Sequence, residues 1–276
     1  MRRLLKIKIW LVFASPCTVL LATELSRGQT QSEPLVAVQK MIEREHEASL
    51  HKPPFSYISV EKSDRTGGHE WTERVVEVSE GKLRDLILED GTPISEERRR
   101  REDARLRAIE KDPEPFIRHE RAQKTEEQRA EKFLDLLPRA FLFEDNGLQQ
   151  NWEKISYRPN PSYVPQSYEE RILHGMSGAL LIDPRTNRLH MLQGKLGEEV
   201  SFGYGLLATL HCGSTFSIVR SPIHGDLWKT TQTDIRMNGH IVLFKTISRQ
   251  QISTHKDFKL LSSNLTIAQA VALLVR

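Results

Sequence analysis

The 276-residue chain holds only two cysteines, Cys17 and Cys212. Once the N-terminal segment carrying Cys17 is removed, no intramolecular disulfide is possible, and stability must come from burial. An excess of one charge is also missing. Forty basic residues face 37 acidic ones for a net charge of +3, which speaks against a dedicated nucleic-acid binder with clustered, uncompensated Lys and Arg. No apolar run reaches the roughly 20 residues that span a bilayer, so an integral helical membrane protein is not expected after processing. There is no His-Glu-x-x-His, no paired-cysteine spacing and no Gly-rich loop leading into a helix. No metal and no cofactor are therefore expected.

What is present begins at the N-terminus. Met1 to Lys8 carries Arg2, Arg3, Lys6 and Lys8, and the apolar run Ile9 to Ala22 follows. Ser26-Arg27-Gly28 places small residues ahead of Gln29. This is the pattern of a secretory signal peptide, residues 1–28, cut after Gly28. The expected location is the periplasm, with residues 29–276 as one domain. Pro16 directly before Cys17 departs from a lipoprotein signal, so lipidation there is not expected. Cys212 is expected as a small buried residue in a strand.

The domain opens with a helix. Ser32 is placed to cap it, Pro34 falls in its first turn, and Leu35, Val38, Met41 and Ile42 keep helical spacing. Glu43, Arg44 and Glu45 read as polar surface, and the helix fades by His51 to Pro54. Alternating runs predict strands over Phe55–Asp64, Glu70–Ser79 and Leu83–Leu88, with turns at Thr66-Gly67-Gly68 and Ser79-Glu80-Gly81. Trp71, Val75 and Val78 are packing candidates. Two more strands are expected at Ala140–Glu144 and Trp152–Arg158, a loop from Pro159, and a short helix at YEERILHGM. From Gly175 to Ile247 short apolar runs alternate with turn residues, the form of an antiparallel meander. Asp183 to Asn187 predicts one turn, and Asn238-Gly239 predicts a hairpin between two strands. Gly203 and Gly205 alternate with Phe202, Tyr204 and Leu206, which suggests a bend or bulge. At the far end, Asn264 is placed to cap a terminal helix.

Between the two sets of strands the composition changes. Ser95 to Lys132 interleaves 11 acidic with 12 basic residues, with Ser95 as cap and Glu96 and Glu97 in the first turn. A charged helical insertion over about 95–137 follows, broken once at Asp112 to Pro115 and ended by Pro138. Arg98 to Arg101 could serve an anionic lipid or a nucleic acid, but a solvated helix laced with i,i+4 pairs is the simpler reading.

Catalytic signals are weak. Gly175-Met176-Ser177-Gly178-Ala179 resembles a nucleophile elbow, but Ala179 stands where Gly is needed and a strand follows the serine. His211-Cys212 are sequence neighbours, which point apart on a strand. A hydrolase using Ser177 or Cys212 stays remote, and no enzyme is expected. Trp71, Tyr204, Trp228 and Phe244 could line a concave apolar face or could be ordinary core.

DGTPIS (Asp90–Ser95), LPRAFLF (Leu137–Phe143), YRPNPSYVP (Tyr157–Pro165), GALLIDPRTNRL (Gly178–Leu189), FGYGLLATLHCGSTF (Phe202–Phe216), Trp228 and LFKTIS (Leu243–Ser248) carry a family resemblance. Together they resemble a family of secreted bacterial proteins similar to the periplasmic lipoprotein-carrier superfamily, the LolA/LolB-like fold. The resemblance implies an α+β fold: a curved antiparallel half-barrel with an N-terminal helix, here with the charged insertion. It also implies a non-catalytic carrier sheltering an acyl chain or acylated protein, with Trp71, Tyr204, Trp228 and Phe244 on the apolar face. The alternative is a protein-interaction or sensor module working through the charged helix.

Overall fold

The structure, a computed structural model, describes residues 32–202, 208–241 and 245–275. In chain order the elements are α1 (Glu33–Ser49), β1 (Phe55–Ser63), β2 (Glu70–Glu77), β3 (Lys82–Glu89) and β4 (Thr92–Pro93). Then come α2 (Glu96–Lys111), α3 (Glu114–Ala140), β5 (Phe141–Gln149), β6 (Trp152–Pro159) and α4 (Tyr168–His174). The meander is β7 (Met176–Ile182), β8 (Leu189–Leu196), β9 (Val200–Phe202), β10 (Ala208–Leu210), β11 (Thr215–His224), β12 (Leu227–Ile241) and β13 (Lys245–Leu260), and α5 (Ile267–Leu274) follows. All strand pairs are antiparallel and join one open sheet of 13 strands, ordered β4-β3-β2-β1-β13-β12-β11-β8-β7-β6-β5. β10 attaches to β12 and carries β9. The class is α+β, as expected.

Helices cover the two ends of the sheet on different cores. Val38, Met41 and Ile42 of α1 and Leu136, Leu137 and Ala140 of α3 pack on Ile155, Leu180, Leu192 and Phe216. At the other end Leu106 of α2 and Ala270, Val271 and Leu274 of α5 seal Val76, Val78 and Leu83. A third, smaller cluster holds Phe55, Tyr57 and Val75 with Ile223, Leu227 and Phe258. It is closed by the β11–β12 hairpin tip folding over β1. Lys229, on the part of β12 beyond its pairing with β13, reaches Glu77 Oε2 with Nζ at 2.6 Å.

Several local expectations are corrected. Asn238 and Gly239 lie inside β12, where Gly239 pairs with Ile247 on one side and Leu210 on the other. The chain reverses instead between Ile241 and Lys245, which pair. A Cβ on Gly239 would stand 2.4 Å from the Thr209 carbonyl oxygen, so this glycine serves close strand approach rather than a turn. Pro138 does not end its helix, which runs on to Ala140; so near the C-terminus it costs a single backbone bond. Thr266, not Asn264, caps α5, in a reciprocal pair with Gln269. Cys212 is exposed, in the turn between β10 and β11. The turn at Asp183 to Asn187 forms as expected, with Asn187 at φ 54° and the Asp183 carboxylate accepting from the Arg185 amide.

Candidate functional site

Two buried ionic clusters mark the inward side of the sheet. The first sits where α1 crosses the hairpin tips. Helical spacing places Glu45 on the same stripe as Val38, Met41 and Ile42, so its carboxylate is carried into the interior. The β7–β8 turn delivers Arg188, which is only 2% exposed. Its Nε donates to Glu45 Oε1 at 2.9 Å, and its Nη1 donates to the Asp226 carbonyl at 2.9 Å. The Leu189 amide donates to Glu45 at 3.0 Å, and Arg220 of β11 also pairs with it. Burial pushes the Glu45 carboxyl up, but the donors from Arg188 and Arg220 outweigh it and hold the group below the usual carboxylate range.

Aromatic rings lean on this cluster. The Arg188 guanidinium lies 5.7 Å from the centroid of the Trp228 ring. Trp152 of β6 stacks on His190 of β8, centroids 4.0 Å apart and planes at 11°, and both meet Trp228 edge-on. His190 is fixed through Nδ1 to the Arg220 carbonyl at 2.8 Å. Trp228 is buried, whereas Trp152 and His190 are half-buried. Beside them burial and the neighbouring Asp145 push the Glu153 carboxyl up.

The second cluster continues the inward side of β1. Phe55 and Tyr57 are followed at every second position by Ser59, Glu61 and Ser63, all buried. Arg65, from the short turn after β1, binds Glu61 Oε2 at 2.8 Å and Glu73 Oε2 at 2.7 Å, and Arg84 adds a contact to Glu73 at 3.2 Å. Burial pushes Glu61 up, while hydrogen bonds from Arg65 and Ser63 hold it below the usual range. Ser59 Oγ is fully buried with no hydrogen-bond partner. In register it is paired with His255, whose ring contacts Tyr57 at 5.1 Å and whose Nδ1 faces the Thr230 carbonyl at 3.1 Å.

Of the residues expected to form one apolar face, the two described, Trp71 and Trp228, do not share one environment. Trp71 is half-buried between the guanidinium groups of Arg65 and Arg98, each 5.4 Å from its ring, and its Nε1 donates to Glu89. Trp228 belongs to the Arg188 cluster. Tyr204 and Phe244 lie outside the described residues, as do Gly203 and Gly205. Ser177 is exposed on β7 and pairs in register with Lys195 of β8. His211 Nδ1 meets Glu199 at 3.0 Å, and the neighbouring Cys212 is exposed.

The charged helix docks through its arginines. Arg98 reaches Glu89 at 2.5 Å, Arg99 reaches Asp85 at 2.5 Å, and Arg105 donates to the Arg84 carbonyl at 2.5 Å. Arg101 with Glu97 and Arg99 with Asp103 form the i,i+4 pairs. Among the described residues no group of three or more His, Cys, Asp or Glu could hold a metal ion, and no helix is long and apolar enough to cross a membrane.

Glu45, Arg188, Glu61 and Glu73 were not foreseen as interior. For the three glutamates the signal was periodicity: each continues a stripe of apolar positions, and charge alone makes it read as surface; Arg188 lies in a turn and carried no such signal. Comparison with known proteins found no matching family model, no similar curated protein and no similar solved structure.

Proposed function

We propose that the chain is a non-catalytic binding protein of the periplasm that shelters an apolar ligand, an acyl chain or acylated protein, against a curved, half-barrel-like sheet. The observation that carries this reading is the wall formed by Trp152, His190 and Trp228. Three strands contribute one ring each, and two of the rings remain open to solvent. Half-exposed aromatic groups held rigidly by buried ionic partners offer apolar contact at little entropic cost, as binding surfaces do. The ligand lies against this wall rather than on the inner side of β1 and β2, where Glu61, Glu73 and Arg65 occupy the space. Trp228 is thus the member of the expected apolar set that fits the ligand surface, and Trp71 is committed to Arg65 and Arg98.

Native mass spectrometry of the protein purified without detergent tests the reading. The expected result is an added mass that organic extraction removes. Trp152→Ala should reduce retention about tenfold, the equivalent of about 1.4 kcal/mol, without unfolding the chain, since Trp152 is not fully buried. An unliganded mass that stays unchanged after incubation with phospholipid or an acylated peptide would sink it.

A further inference from the structure

The outward face of the sheet between β6 and β1 carries no helix-packing cluster, and its register can be followed residue by residue. One row runs Ser156, Ala179, Gln193, Ser217, Asp234, Ile252, Lys62 across seven strands. The row on one side of it runs from Lys154 through Leu181, Met191, Val219, Gln232 and Thr254 to Val60. The row on the other side contains Ser177, Lys195, Thr215, Arg236 and Gln250. Arg158 extends the same face of β6, and Lys256 lies beside Ile58.

Six cations, Lys62, Lys154, Arg158, Lys195, Arg236 and Lys256, therefore share one face, and all but Lys154 are exposed. Against them stands a single carboxylate within the rows, Asp234, which is already forked by Arg236 at 2.8 Å. The other acids of this face, Glu144 and Glu70, stand at its margins on β5 and β2. Hydroxyl and amide side chains are frequent between the cations in the other two rows, whereas the Lys154 row passes through Leu181, Met191, Val219 and Val60.

We propose that this face docks onto an anionic lipid bilayer, through its phosphate headgroups. The charge complementarity has a particular form. Adjacent strands are about 4.8 Å apart, and Lys154, Lys195 and Lys62 stand on strands that are not neighbours. They cannot close around one small anion, but each can take its own headgroup on a wide anionic surface, with Ser, Thr and Gln donating between them. Trp152, two positions before Lys154 on β6, borders these rows and stacks on His190, too few rings for the successive base stacking of a single-stranded nucleic acid. The ligand wall borders this face through Trp152, but the proposal does not require the ligand.

The test is co-sedimentation of the protein, as purified from cells, with vesicles of phosphatidylcholine alone or with added phosphatidylglycerol. Binding should require the anionic lipid and weaken with salt. Each Lys or Arg at such a surface contributes about 1 kcal/mol. The triple variant Lys154→Glu, Lys195→Glu, Lys256→Glu should therefore bind at least about a hundredfold more weakly. A variant with the same charge change on α2, Arg100→Glu, Arg101→Glu, Arg107→Glu, should keep its binding, and thermal melts confirm that both fold. Equal loss in the α2 variant, equal binding to neutral vesicles, or tighter binding to a soluble polyanion such as heparin would each overturn the proposal.

Discussion

The two halves of the sheet solve burial in opposite ways. On β7 and β8 the inward positions are Met176, Leu180, Ile182, Leu192 and Leu196, and α1 seals them with one carboxylate, Glu45. On β1 and β2 the corresponding side holds Ser59, Glu61, Ser63 and Glu73, closed by arginines from a turn and a neighbouring strand. The first half gains from transfer of apolar surface out of water, on the order of 25 cal/mol per Å². The second gains little that way and depends on donors meeting every buried oxygen. An ionic interior is specific and conditional: complete, it fixes one arrangement, and short of one partner it becomes costly.

That contrast predicts where one missing partner matters most. Glu45→Ala strips the carboxylate from Arg188, which is 2% exposed and keeps the Asp226 carbonyl, the Trp228 ring and a half-exposed carboxylate 3.7 Å away. A buried charge without its partner costs about 3–5 kcal/mol. Urea denaturation should show a loss of that size, comparable with the about 2–5 kcal/mol expected for Leu180→Ala in the surrounding core. A loss below about 1 kcal/mol would mean the Glu45 cluster is solvated in solution, and the contrast between the halves would then vanish.

The same operation on the other half should cost less. Arg65→Ala removes donors from both Glu61 and Glu73, but Ser63 still serves Glu61 and Arg84 still serves Glu73. Arg65 is itself 39% exposed, so water can replace part of what is lost. The expected cost is about 1–3 kcal/mol, with a change in Trp71 fluorescence as one guanidinium leaves its ring. If Arg65→Ala proved more damaging than Glu45→Ala, the polar half would be the one that holds the fold together.

How much of this could be read in the sequence follows the same division. The apolar half was legible: α1, the β7–β8 turn and the strands of the meander are set by periodicity and by turn residues within a few positions of each other. The break at Asp112 to Pro115 was legible for the same reason, since proline acts locally. Asn238-Gly239 misled because a hairpin signal is local, whereas the close approach of Thr209 that requires Gly239 comes from a strand about 30 residues earlier. Glu45 and Glu61 were hidden because their arginines lie far off or in a turn: Arg188 is 143 residues from Glu45. Periodicity put both acids inside, but nothing nearby in sequence showed that they would be neutralised there. Trp152 and His190 were missed as a pair for that reason, being brought together only by the order β6-β7-β8.

The smallest expected effect lies at the edge of the polar half and reads its protonation. Burial lowers the His255 imidazole from its ordinary range, and the charges of Arg84 and Lys82 add to this against the Thr230 carbonyl. The folded chain thus binds this proton less readily than the unfolded chain, where the group titrates near about 6.5. Stability then rises with pH across that interval and falls as pH drops below about 6.5, by at most about 1.4 kcal/mol per unit. His69, raised by its hydrogen bond to Asp90, contributes with the opposite sign, so the wild-type profile alone would blur the effect. The difference between wild type and His255→Asn, taken from urea midpoints at pH 8, 7, 6 and 5, isolates it. Glu45 and Glu61 titrate below this window, because both are held under the carboxylate range. A flatter profile in the variant is the expected outcome. Parallel profiles would show that His255 is reached by water in solution and that the polar half is open beside Ser59.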